Sequence, residues 1–227
     1  MSTILAMDTS GPSLSVALLV GERLAYECTM QNGLTHSERL MKLVDQALAA
    51  EGIGPDDVDC FAAVNGPGSF TGVRLGVATA KSLAHATEKP CLGVNALEAL
   101  AEGAVLFDGV VCPMRDARAG QVYAAAFVKK ARVLPDEALR LDALLALLAP
   151  MGRCCFLGDG AAKHRETIAQ ALGDQAIWGD IPLRASCAAR LAQRRAAEAG
   201  SWRLLAPYYL RLPQAERERA QREALHD

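Results

Sequence analysis

The sequence predicts an α/β fold of two similar lobes facing each other across a cleft. Three observations carry this. Short apolar segments of strand length alternate with longer amphipathic ones. The order β-β-β-α-β-α occurs twice along the chain, the mark of an internal duplication. Each copy also places an aspartate, soon followed by glycine, in its first hairpin: Asp8 before Gly11, and Asp116 before Gly120.

The first copy opens with strand-like segments at 3–7, 14–20 and 23–30, the last two joined by a Gly21-Glu22 turn. A helix follows over 35–50, where Leu40, Met41, Leu43, Val44, Ala47 and Leu48 form one broad apolar stripe. A strand at 58–64, a helix at 71–86, a strand at 91–94 and a helix from Asn95 complete it. The second copy has strands at 109–114 and 121–128, with a third at 132–134. A helix at 141–149, a strand at 153–157 and a helix at 161–172 come next. A last helix at 185–199 and a short segment at 207–211 finish the lobe. The boundaries are therefore 1–105 for the N-terminal lobe and 106–213 for a smaller C-terminal lobe. The Glu- and Arg-rich tail 214–227 reads as a solvated helix or disorder.

Composition narrows the function classes. With 227 residues, 51% of them apolar, the chain can bury a substantial core. A net charge of -2 gives no global basic field for nucleic acid, although local patches remain open. The first residues lack the basic and apolar regions of a signal peptide, and no apolar run reaches membrane-spanning length. The seven cysteines are odd in number, contain no C-x-x-C and sit in apolar runs. Free buried thiols in a reducing cytoplasm are expected, without a zinc site.

The stretch Gly66-Pro67-Gly68-Ser69-Phe70-Thr71-Gly72-Val73-Arg74 is the most informative motif. A strand, a glycine turn and a helix start together present backbone N–H groups where an anion can sit. The stretch lacks the Gly-Lys-Ser/Thr of a phosphate loop and misses the dinucleotide spacing by one residue. The competing reading is a plain connection in which Ser69 or Thr71 caps the helix. In the same way, Asp and Gly in a hairpin are favoured turn residues, and only the matched pair suggests a ligand cleft.

Taken in order, these motifs carry a family resemblance. The duplicated lobes with Asp in both first hairpins resemble the actin-like, sugar-kinase and Hsp70 ATPase superfamily. Within it, Met7-Asp8-Thr9-Ser10, Thr35-His36-Ser37-Glu38, Gly66 through Arg74, Asp116 through Tyr123 and Pro207-Tyr208-Tyr209-Leu210-Arg211 are similar to the TsaB family, also called YeaZ. The resemblance implies an actin-like fold with a reduced second lobe. It implies a cytoplasmic, non-catalytic subunit that works with TsaD and TsaE. Their product is threonylcarbamoyladenosine beside the anticodon of tRNAs reading codons that begin with adenine. The tRNA is met indirectly through the complex, no membrane is involved, and the isolated chain is expected to be a homodimer.

The residues themselves bear on the chemistry. TsaD places two histidines one helical turn apart on a metal, whereas here His36 is followed one turn later by Leu40, so no metal site is expected. Asp8, Thr9, Ser10, Ser69, Thr71, Asp116 and Arg118 outline a vestigial nucleotide or phosphate site. Asp159, between Gly158 and Gly160, puts a negative charge where an adenosine loop usually avoids one. No cofactor is therefore expected to bind tightly, and ATP or ADP only weakly or within the complex. None of the four histidines lies in a G-x-S-x-G elbow, so no catalytic residue is assigned. A partner surface is expected on His36, Leu40, Leu43, Val44 and Ala47 of one helix and Gly72, Gly76 and Ala80 of the next. Two alternatives stay open: a small ATPase or kinase holding Mg-nucleotide between Asp8 and Asp116, and, more weakly, a glycoprotease-type peptidase.

Overall fold

The computed structural model describes residues 2–31, 35–104, 106–179 and 182–211. The tail 214–227, read from sequence as helix or disorder, lies outside the described residues.

The first sheet is built from β1 (Thr3–Asp8), β2 (Leu14–Val20), β3 (Arg23–Met30), β4 (Cys60–Gly66) and β5 (Cys91–Asn95), in the order β3-β2-β1-β4-β5. The hairpin strands run antiparallel, and β4 and β5 are parallel to β1. Both faces are covered, which is why β1 is apolar without a break from Ile4 to Met7 rather than alternating. Leu5 and Met7 face one cluster with α1 (His36–Ala49) and α2 (Phe70–Ala86). Ile4 and Ala6 face another with α3 (Ala96–Glu102) and α7 (Ala185–Arg194).

The second sheet repeats the plan with β6 (Val110–Asp116), β7 (Gln121–Val128), β8 (Ala131–Arg140), β9 (Cys154–Leu157) and β10 (Ala176–Gly179), in the order β10-β9-β6-β7-β8. Each strand of one sheet has its counterpart in the other, so the duplication seen in the sequence is real and extends by one strand. One face packs against α4 (Leu141–Leu148), α5 (Asp159–Lys163) and α6 (Arg165–Leu172). The other takes Leu97 of α3 among Val111, Ala125, Phe127, Cys155 and Leu157.

Several elements differ from the sequence expectation. The strand expected at 132–134 runs from Ala131 to Arg140. It is an edge strand, so Pro135 and four charged residues are tolerated on it. The helix expected at 161–172 begins at Asp159 and breaks at His164, giving α5 and α6. The strand β10 was absent from the expectation because Ala176-Ile177-Trp178-Gly179 is too short to show alternation. The helix expected at 185–199 ends at Arg194 and is followed by a 3-10 turn.

The chain after the second sheet returns to the first. Helix α7 buries Ala185, Ala188, Ala189, Leu191 and Ala192 against the first sheet, although it follows the second in sequence. Its alanine-rich face lets it lie close to β1 and β2, and Ala185 N donates to Ser15 Oγ at 2.9 Å. The last described segment returns as well. Leu205 joins the core under α1 and α2, and Tyr208 N donates to Asn65 O at 2.7 Å.

All seven cysteines are free, as expected, and burial pushes the thiols of Cys60 and Cys154 up to about 11. Among the described residues no helix is long and apolar enough to cross a membrane.

Candidate functional site

The two hairpins meet at the C-terminal ends of β1 and β6. Between them lies a cleft of about 780 Å³, walled also by Gly68 to Thr71 and by Tyr208 to Arg211. Of the residues expected at a nucleotide or phosphate site, Ser10, Ser69, Thr71, Asp116 and Arg118 line this cleft. Asp8 and Thr9 do not; both are buried behind it.

The two hairpin aspartates do the same local job. Asp8 Oδ1 accepts from Ser10 N at 2.8 Å, and Asp116 Oδ1 accepts from Arg118 N at 3.0 Å. Each carboxylate thus closes its own turn, as Asp commonly does two residues ahead. The remaining oxygen of each faces an internal cation. Asp116 Oδ2 accepts from Lys163 Nζ at 2.7 Å, and Asp8 Oδ2 lies 3.6 Å from an Arg115 nitrogen. Burial pushes the Asp116 carboxyl up, but Lys163, the Arg118 N–H and His164 outweigh it and hold it below its ordinary value. At Asp8 the balance is reversed: complete burial drives the carboxyl above the ordinary range, over the opposing pull of Arg115 and Ser10.

Arg115 is the residue that sequence reasoning missed. Its guanidinium donates to Ser10 Oγ at 2.7 Å and to Asp159 Oδ1 at 3.1 Å, and it packs flat over Gly11, where a Cβ would collide with it. The side chain is only 3% exposed. Asp159 in turn accepts from Asp116 N at 3.2 Å, which explains the acidic residue between Gly158 and Gly160. A signal existed: Arg115 is the one charged side chain pointing inward from the apolar strand Val110–Asp116.

Of the residues expected to hold an anion, Thr9, Ser10 and Ser69 are engaged inside the protein. Thr9 Oγ1 donates to Gly72 O at 2.6 Å, and Ser69 N donates to Ser10 O at 2.8 Å. Ser69 Oγ accepts from Gly72 N at 3.3 Å as the cap of α2, as one of the two sequence readings had it. Gly68 and Gly72 lack a Cβ because Ser10 O and Thr9 O stand where one would go. The Gly66–Arg74 stretch is therefore a seam between the first hairpin, α2 and the C-terminal segment. Its far end is sealed by Arg74, which lies over the Phe70 ring at 3.7 Å and donates to Tyr209 Oη at 2.8 Å.

The residues expected at a partner surface are placed elsewhere. Leu40, Leu43, Val44, Ala47 and Ala80 are buried in the core of their own lobe, and Gly76 is packed on Thr9. His36 and Gly72 are half-buried. The wide stripe on α1 packs on β2 and β3 of its own lobe. Met41 is its exposed member, at 45%.

Two mixed sheets of identical order, each with an aspartate hairpin at a shared cleft, define the actin-like class of two-lobed fold. The TsaB protein of Bacillus subtilis (strain 168) is 36% identical over 222 residues, covering 94% of this chain and 96% of its own. The chain belongs to the TsaB (YeaZ) family. The solved structure of YeaZ from Pseudomonas aeruginosa superposes with a TM-score of 0.76 at 28% identity, over 92% of this chain and all of that one. A family model described as TsaD, tRNA N6-adenosine threonylcarbamoyltransferase, matches residues 32–218. More remotely, an activator of 2-hydroxyisocaproyl-CoA dehydratase from Clostridium difficile, solved with bound ADPNP, shares the fold. Its TM-score is 0.51 at 12% identity, over 86% of this chain and 96% of that one.

Proposed function

We propose that this chain is a non-catalytic subunit in the biosynthesis of threonylcarbamoyladenosine on tRNA, the process for which its family is named. The observation that carries the non-catalytic reading is the state of the cleft. Asp8 and Asp116 already have cation partners, the hydroxyls of Thr9, Ser10 and Ser69 already have hydrogen-bond partners, and the helix that begins at His36 presents a buried Leu40 one turn later. Groups so engaged are poorly placed to bind a metal or polarise a phosphate. Among the described residues no group of three or more His, Cys, Asp or Glu is placed to hold a metal ion. ATP or ADP then binds weakly at best, unless a partner completes the site.

The partners in this reading are a TsaD-type transferase and TsaE, in the cytoplasm, with tRNA reached through the transferase. When alone, the chain pairs with a second copy. The surface that serves is the solvent face of α1 and α2, centred on Met41 rather than on the buried stripe. The test is a Met41→Glu variant mixed with the transferase. The variant should keep its melting temperature yet fail to co-elute in gel filtration. Unchanged association would remove α1 from the interface.

The competing ATPase reading places Mg-nucleotide between Asp8 and Asp116. Arg115 and Lys163 stand against it, since each already neutralises one of the two carboxylates.

A further inference from the structure

The fold class implies a nucleotide and its metal at the junction of the two hairpins, and the residues present do not fit them. The space between Asp8 of one lobe and Asp159 of the other is filled by a side chain of the protein itself. Arg115 enters from β6 in the second lobe. It reaches Asp8 and Ser10 in the first lobe at 3.6 and 2.7 Å, and Asp159 in its own at 3.1 Å. We propose that Arg115 is an internal cation that closes the base of the cleft, doing with a guanidinium what a bound metal–phosphate does in ligand-operated members of the fold.

Three features argue for a closing device rather than an ordinary ion pair. The guanidinium is nearly inaccessible, and its partners come from both lobes, so it cannot be satisfied unless the hairpins are together. Gly11 gives it a flat seat that any side chain would block. Its Nε and Asp8 Oδ2 are both buried without a hydrogen-bond partner. The contacts across the cleft are thus one hydrogen bond, to Ser10 Oγ, and one ion pair without a hydrogen bond, to Asp8, and the hydrogen bond is lost as soon as the hairpins part. The lobes also meet through α3, where Leu97 packs on the second sheet, an apolar contact that does not depend on the charges at the hairpins.

The test is hydrogen exchange on the full chain, read by mass spectrometry for peptides covering the first hairpin, the Gly66–Arg74 turn and the second hairpin. Arg115→Ala should raise exchange at all three by at least about tenfold while β4 and the helix α4 stay protected. Guanidinium at about 20 mM, far below denaturing concentration, should enter the vacated seat and restore much of the protection, whereas urea at the same concentration should not. Wild-type exchange should be unchanged by millimolar Mg-ATP. If Arg115→Ala does not fold, Ser10→Ala serves instead. It leaves Arg115 on Asp159 within the second lobe but removes the hydrogen bond that reaches across the cleft, and it should raise exchange at the same three places. The proposal fails if the hairpins of the tested variant exchange like wild type. It also fails if the loss of protection spreads evenly through both lobes, if guanidinium does not rescue Arg115→Ala, or if Mg-ATP further protects the wild-type hairpins.

Discussion

Gly72 and Gly76 distinguish internal packing from partner docking, and alanine at each position gives a measurable answer. In an exposed helix, Gly→Ala stabilises by about 1 kcal/mol through backbone entropy. A pair of glycines kept only to let a partner approach would therefore make the isolated chain more stable when replaced. The geometry predicts otherwise. A Cβ on Gly72 runs into the backbone carbonyl oxygen of Thr9 and sits 3.1 Å from its carbon. Thr9 cannot retreat, because its Oγ1 holds Gly72 O at 2.6 Å and the next carbonyl, Ser10 O, holds Ser69 N at 2.8 Å. Overpacking against fixed backbone costs about 2–3 kcal/mol. After the helix gain is subtracted, Gly72→Ala should destabilise by about 1–2 kcal/mol, or roughly 3–6 °C in melting temperature for a chain of this length. At Gly76 the new Cβ meets only the Thr9 hydroxyl, at 2.7 Å. That group can rotate away at the cost of about one hydrogen bond, which the helix gain offsets. Gly76→Ala should be within about 0.5 kcal/mol of wild type on the same balance. Urea unfolding followed by tryptophan fluorescence and by circular dichroism would measure both. A Gly72→Ala chain as stable as wild type, or more so, would refute the seam between the first hairpin and α2.

Other consequences follow from the same contacts. A charge at Leu43 or Ala47 should unfold the first lobe rather than merely dissociate a complex, since both are buried in its core; the cost is above about 3 kcal/mol and soluble yield would report it. Lys163→Met should cost under about 1 kcal/mol at neutral pH, because the pair with Asp116 is partly exposed. The Asp116 carboxyl lies below its ordinary value of 3.8, so its stabilisation is present above that pH and lost as the pH falls through the folded value. The gap between wild type and Lys163→Met should therefore close in strong acid, as acid titration of unfolding would show. Arg74→Ala strips the cation from Phe70 and the hydrogen bond from Tyr209, and proteolysis between α7 and the C-terminal segment should speed up several-fold.

The sequence made the architecture legible because its signals were local. Apolar runs of strand length, one broad helical stripe and the repeated Asp hairpin each reflect a few adjacent residues. What it hid were long-range choices. Helix α7 follows the second lobe in the chain yet packs on the first, and nothing in its own pattern names its partner sheet. Width of the α1 stripe was legible, but not what covers it: the same leucines serve a core or an interface, and only the position of β2 and β3 decides. The glycines at 68, 72 and 76 showed close approach without showing that Thr9 and Ser10 were what approached. Arg115 is masked in the sequence by Asp116 beside it, whose place in the hairpin matches that of Asp8. A single buried charge finds its meaning only in residues far along the chain, here Asp8 and Asp159.

The most direct measurement is reconstitution. Threonylcarbamoylation of tRNA would be followed with the TsaD-type transferase and TsaE, supplied with threonylcarbamoyl-AMP, in the presence and absence of this chain. The account predicts no modification and no ATP turnover by the chain alone, and modification that depends on adding it to the others. Product formed without it, or steady ATP hydrolysis by the purified chain, would contradict the account.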